Sequence, residues 1–314
     1  MSAFANNFLI SLPLFLLVAL GYGFARSGLV KPEIGKALSK YAFTVAIPAL
    51  LFKLMSHVTQ MPAPDWGVAG AFFGSCLLVF LAGRVAAKRL CRLKADEQTI
   101  FGMATVFSNN IQLGVPISTA LLSPASMPAL AVVFSLNAFL MWTFATASIE
   151  FSRSASPSLS KTVAQGAIRT LKTPIVIGII AGLLWSLTGL EMPAPVAKVV
   201  DLTASAASPV ALFAVGVGLT RYSIKSDLAA TSFITVLKLG LQPVVVFALG
   251  LAMGLSAPEL QAVCLLGCLP VGVNVYLMAQ EFNALEGATA NSLLVTTALA
   301  AFTLPAMMGL LGLL

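Results

Sequence analysis

Ser108-Asn109-Asn110-Ile111-Gln112-Leu113-Gly114-Val115-Pro116 places amides, a glycine and a proline inside an otherwise apolar stretch. Proline cannot donate a backbone hydrogen bond and its ring crowds the carbonyl one turn back, so Pro116 is expected to free the carbonyl of Gln112. In a membrane such a break survives only where it faces protein or a wet cavity. A second interruption, Pro270-Val271-Gly272-Val273-Asn274, lies in another apolar stretch near the C-terminus. One break in each half is the pattern of a carrier whose binding site forms where two discontinuous helices meet.

The surrounding composition supports a membrane setting. Hydrophobic residues make up 59% of the 314 and charged residues 9%, too few to clothe a soluble globule, so the chain reads as an all-α integral membrane protein. Apolar runs long enough to span recur about ten times. They lie near residues 5–25, 36–57, 66–87, 98–122 and 126–150, then 172–189, 198–220, 228–254, 258–281 and 287–313. No basic segment precedes the first run, which reads as a retained span rather than a signal peptide. The four cysteines, Cys76, Cys91, Cys264 and Cys268, form no CxxC, and His57 is the lone histidine, so neither a metal site nor a cofactor is expected.

The net charge of +7 is explained by position rather than by a nucleic-acid partner. Arg26, Lys31 and Lys36, then Arg84, Lys88, Arg89, Arg92 and Lys94, then Arg153, Lys161, Arg169 and Lys172, and finally Arg221 and Lys225 all fall in loops of one side. The opposite loops hold little beyond Lys53, Asp65, Glu191 and Glu259. Basic loops stay cytoplasmic, which puts both termini outside the cytoplasm of a multi-pass inner-membrane protein in contact with lipid.

Sliding the chain against itself by 161 residues aligns Pro13 with Pro174, Gly21 with Gly182, Gly28-Leu29 with Gly189-Leu190, and Pro32 with Pro193. Pro48 then meets Pro209, and Leu51-Phe52 meets Leu212-Phe213. These matches point to duplication. Five spans, an odd number, separate equivalent positions, so the copies are expected to cross in opposite directions as an inverted repeat. The first repeat is set at 1–151, a cytoplasmic linker at 152–171 and the second repeat at 172–314. A small gap brings Asn109-Asn110 of span four opposite Pro270 to Asn274 of span nine, so the two broken helices should cross near the midplane.

Phe107-Ser108-Asn109 with Leu113-Gly114-Val115-Pro116, Ala207-Ser208-Pro209-Val210-Ala211-Leu212-Phe213 with Gly216, Leu269-Pro270-Val271-Gly272-Val273-Asn274 through Ala279, and Leu304-Pro305 together resemble the auxin efflux carrier superfamily. The similarity extends over essentially the whole chain, and Pro270, Gly272 and Asn274 look most like its bacterial malonate-type branch. That resemblance implies a fold similar to bile-acid symporters and sodium/proton antiporters, with spans one, two, six and seven as scaffold. Spans three to five and eight to ten would form the moving transport domain, and the molecule would be a homodimer. Where relatives often carry glycine two residues after the first asparagine, this chain has Ile111, followed by Gln112.

The substrate-binding candidates are Asn109, Asn110, Gln112, Gly114, Pro116, Pro270, Gly272, Asn274 and Lys238. Three amides within four residues exceed what capping one break requires, and polar groups inside a membrane are costly unless they face a cavity. The prolines and glycines shape the backbone; the amides supply the chemistry. Lys238 is a deep basic residue, about 15 Å along its helix if that helix starts at Leu228. It could neutralise an anion, or snorkel and bond a freed carbonyl. Asp201 is a candidate for ion coupling or an ordinary interfacial charge.

These readings favour a secondary transporter of a small organic anion, most of all a malonate-like dicarboxylate, with proton or sodium coupling. Export of an auxin-like monocarboxylate and cation/proton exchange on the same architecture are the alternatives. An enzyme is not expected, since no nucleophile and base pair, buried aspartate pair or metal motif is evident. No phosphate-binding glycine loop points to ATP as the driving force.

Overall fold

A computed structural model describes residues 3–57, 59, 65–152, 172, 174–220 and 227–310. The linker expected at 152–171 lies outside these residues, apart from Ser152 at a helix end, and so do Arg153, Lys161, Arg169, Arg221 and Lys225. The described residues are helical, with one isolated antiparallel bridge and no strand. In chain order the helices are α1 (Ala3–Arg26), α2 (Pro32–Met55), α3 (Gly67–Arg89), α4 (Ala95–Val106), α5 (Val115–Leu121) and α6 (Met127–Ser152). They continue with α7 (Pro174–Thr188), α8 (Ala194–Leu219), α9 (Leu228–Ala252), α10 (Ala257–Cys268), α11 (Val273–Phe282) and α12 (Glu286–Leu310).

Among the described residues, α2, α3, α8, α9, α12 and the segment Pro124–Ile149 are long and apolar enough to cross a membrane. The shorter apolar helices include α7 and α10. Exposed leucines and valines cover much of the outside, as a lipid-facing surface requires: Leu77, Leu78, Leu81 and Val85 on α3, and Leu183, Leu184 and Leu187 on α7.

Prolines mark where helices depart from regular winding. Pro48, Pro116 and Pro243 each follow a π turn by two residues, the turns being Ala42–Ala46, Asn110–Gly114 and Leu237–Leu241. Widening the helix moves the carbonyl four residues back out of the ring's way. For Pro116 that carbonyl is Gln112's, which lies inside the π turn. Pro116 itself lies inside a winding that runs unbroken from Asn110 to Leu121, so it does not interrupt the helix. The expected break is therefore displaced: the non-helical backbone lies at Phe107 to Asn109, where α4 stops. In α8 the interruption takes another form, a break at Ala206 just ahead of Pro209.

Packing repeats along the chain. α1 lies along the second half of α8, and α7 along the second half of α2. A Cβ at Gly21 would overlap the Phe213 carbonyl, and one at Gly182 would lie 2.5 Å from the Phe52 carbonyl. Those two contacts are related by the 161-residue offset, Gly21 to Gly182 and Phe52 to Phe213. Elsewhere α3 packs on α4 and α9, α9 packs on α10, and α12 touches α1, α9, α10 and α11. Helices α4 and α10 each have 12 residues. At 1.5 Å per residue each is about 18 Å long, enough to reach the middle of a bilayer core but not to cross it.

Candidate functional site

Helix α4 begins with Glu97 accepting the Lys94 backbone N–H, and α10 begins with Glu259 accepting that of Ser256. An acid three residues past the cap fixes the start of both half-helices. Their C-terminal ends then meet. Asn109 donates its backbone N–H to the Pro270 carbonyl at 2.9 Å, and Gly272 donates to the Phe107 carbonyl at 2.8 Å, so Ser108 and Val271 form a single antiparallel bridge. Val271 sends its own N–H to Thr296 Oγ1 of α12 at 3.1 Å. The interrupted backbones thus satisfy each other, as buried amides and carbonyls must. Gly272 permits the approach: a Cβ there would sit 3.0 Å from the carbonyl oxygens of both Phe107 and Ser108.

The last carbonyls of a helix lack intrahelical partners and carry partial negative charge. Two side chains of α9 answer them. Lys238, fully buried, donates to the Gly267 carbonyl in the last turn of α10 at 3.0 Å. Gln242, one helical turn on, donates Nε2 to the Val106 carbonyl at the end of α4 at 3.1 Å and lies 3.6 Å from Cys76 Sγ. Lys238 also donates to Gln242 Oε1 and, at 2.7 Å, to Ser108 Oγ. All three ammonium hydrogens therefore have protein acceptors, and Lys238 does not snorkel. The helix does start at Leu228, as its expected depth required.

Asn110 is 2% exposed, and both its Oδ1 and its Nδ2 are buried without a hydrogen-bond partner among the described residues. Leaving such an amide unpaired costs about 1–3 kcal/mol, so its place here calls for a purpose other than packing. Asn109 is buried, its Nδ2 3.4 Å from Oε1 of the partly exposed Gln112, while its carbonyl accepts the N–H groups of Leu113 and Gly114. Gly114 and Pro116 are buried beside them; a Cβ on Gly114 would meet the ends of Leu266 and Leu269. Pro270 is buried in the second interruption, and Asn274 is half-buried in the first turn of α11.

The structure thus gathers the residues of the first interruption, Pro270, Gly272 and Lys238 around one crossing. Asp201 stands apart, on the first half of α8, in a 2.7 Å ion pair with Lys53 of α2, both side chains about half exposed. Ser108, Gln242 and Thr296 belong to the crossing without being among the binding candidates drawn from the sequence. Ser108 opens the first interrupted stretch, and Gln242 lies four residues after Lys238, hence on the same helical face of an apolar run; Thr296 left no signal. The described residues hold no cluster of His, Cys, Asp and Glu suited to a metal ion, and all four cysteines are free.

Comparison with known proteins extends this picture. The model of the membrane transport protein family matches residues 10–308. A protein of Rhizobium meliloti (strain 1021) named "Putative malonate transporter" is 28% identical over 304 residues, covering 96% of this chain and 94% of that protein. The "Uncharacterized transporter YfdV" of Escherichia coli (strain K12) is 26% identical over 289 residues, 87% of either chain. The mouse "Lysosomal cholesterol signaling protein" shares 26% identity over 247 residues, 72% of this chain and 28% of its own length.

Proposed function

We propose, from the premise that the chain belongs to the membrane transport protein family, that of the auxin efflux carriers, that it is a secondary carrier of a small organic anion, a malonate-like dicarboxylate. The observation that carries this reading is the Asn110 amide, buried without a partner among the described residues where two interrupted helices meet, two residues from the Ser108 hydroxyl that accepts from the buried Lys238 ammonium. A buried site of amides and one positive charge can replace the water around a carboxylate. The name of the Rhizobium meliloti relative supports the choice of malonate.

The finer architecture belongs to the same reading. Ten spans form two inverted repeats, and the paired contacts Gly21 to Phe213 and Gly182 to Phe52 support it. α1, α2, α7 and α8 act as the scaffold of a homodimer, while the helices carrying the crossing move against it to alternate access. Both termini lie outside the cytoplasm, and a proton or sodium gradient drives uptake.

Uptake of radiolabelled malonate, succinate, acetate and indole-3-acetate into proteoliposomes, under separate proton and sodium gradients, tests this. Malonate should accumulate with one gradient and collapse when it is dissipated. Failure to move or bind any carboxylate overturns the proposal, and preferential movement of indole-3-acetate would replace the dicarboxylate with a monocarboxylate.

A further inference from the structure

Lys238 and Ser108 stand in an arrangement with a directional consequence. Ser108 Oγ accepts an ammonium hydrogen at 2.7 Å, so the hydroxyl's own hydrogen must point elsewhere. Ser108 is 2% exposed, and its hydroxyl is the donor in none of the hydrogen bonds among the described residues, being the acceptor from Lys238. A hydroxyl that accepts from a cation is polarised into a stronger donor, and the effect is greatest where water is excluded. No carboxylate of the described residues pairs with Lys238, whose other contacts are Gln242 Oε1 and the Gly267 carbonyl. Its charge is therefore reduced by dipoles but not cancelled.

We infer that Ser108 is an anion-contacting residue, donating its O–H to a substrate carboxylate, and that Lys238 is a positioning residue that acts through it, held in place by Gln242. The ammonium has no free hydrogen to offer the substrate, so it is felt through the serine and as a field. This arrangement selects for charge: a carboxylate gains both the polarised hydrogen bond and the field, whereas a neutral amide of the same shape gains only the first. The inference rests on the organic-anion reading above and adds to it a named donor and the origin of its selectivity.

The test measures malonate uptake, with malonamate and malonamide as competitors, in Ser108→Ala, Ser108→Thr, Gln242→Glu and Lys238→Met, each checked for thermal stability. Ser108→Ala should raise KM about tenfold, the loss of one hydrogen bond to a charged group, with Vmax little changed. Ser108→Thr, which keeps the hydroxyl, should recover most of the affinity. Gln242→Glu adds a carboxylate beside the ammonium and should shrink the preference for malonate over its amides. Lys238→Met should weaken malonate binding in the wild-type background by clearly more than it does once Ser108 is alanine, where only the field remains to be lost. If Lys238→Met does not fold, Gln242→Glu with and without Ser108→Ala reads the same coupling. Wild-type KM in a folded Ser108→Ala, or additive effects in the double variant, overturns the inference while leaving the carrier intact. A wild-type protein that takes up malonate but not in preference to its amides sinks the charge argument alone; one that moves no carboxylate sinks both readings.

Discussion

Between Phe107 and Gly114 the first interruption carries Ser108, Asn109, Asn110 and Gln112 and winds through a π turn, whereas the second, from Leu269 to Gly272, has no polar side chain and resumes as α-helix at Val273. Both stop a 12-residue half-helix, and each donates one backbone hydrogen bond to the other. Shape is shared and chemistry is not. The second interruption builds the crossing, through Gly272 and the Pro270 carbonyl; the first supplies side chains that can meet a ligand. A device of this kind needs only one polar half, because every added buried polar group must find a partner.

The largest effect is expected where the halves touch. Gly272→Val puts a branched side chain against the Phe107 and Ser108 carbonyls, which are backbone and cannot swing aside. Overpacking there should cost about 1–3 kcal/mol and abolish uptake, because the bridge must open. Gly114→Ala is the control: its Cβ would meet the ends of Leu269 and Leu266, which can move. Thermal unfolding and malonate uptake of the two variants should therefore diverge, and equal damage would show that the close approach at Gly272 does not set the geometry.

Next comes Asn110→Leu, for which stability and function should move in opposite directions. Removing a buried amide that has no partner relieves its desolvation cost, so the variant should unfold at the same temperature as the native protein or higher. Malonate uptake should nevertheless fall about tenfold or more, the value of a hydrogen bond to a charged group. A loss of both would mean that Asn110 serves the fold. Asn274→Ala, at a half-buried position in the first turn of α11 just past the second interruption, should cost only a few-fold in uptake if recognition is concentrated in the first. An effect as large as that at Asn110 would make the two halves chemical equals.

What the sequence disclosed follows from the range of the forces involved. Helix interruption is local, so Pro116, Pro270, Gly114 and Gly272 were legible, and the apolar runs forecast the helices to within a few residues. The position of the first break was not, because the π turn absorbs Pro116 and the non-helical backbone at Phe107 to Asn109 is set by pairing with Pro270 and Gly272, more than 160 residues away in sequence. Lys238 stood out as a charge in an apolar run, but its partners Ser108, Gln242 and Gly267 lie on three different segments. Thr296 gave no sign, since a threonine in a membrane helix ordinarily bonds its own helix, as it also does here to the Ser292 carbonyl.

The smallest expected effect belongs to Asp201, and it sharpens the contrast between the crossing and the rest of the molecule. Lys238 is fully buried with its hydrogens committed, while Asp201 and Lys53 are each about half exposed and answer chiefly to each other. Replacing Asp201 by Asn keeps the side chain's volume and a weaker acceptor for Lys53, whose long stem can carry the freed ammonium toward water. Exposed pairs of this sort contribute about 0–1 kcal/mol, so KM and stability should barely change. Proton coupling makes the opposite demand: a carboxylate that must load and release a proton cannot be replaced by an amide without losing the gradient dependence of uptake. Asp201→Asn that still accumulates malonate under the driving gradient makes the residue an interfacial charge. Exchange that survives while accumulation vanishes would make Asp201 the coupling site, moving part of the mechanism from the crossing to the α2 and α8 surface.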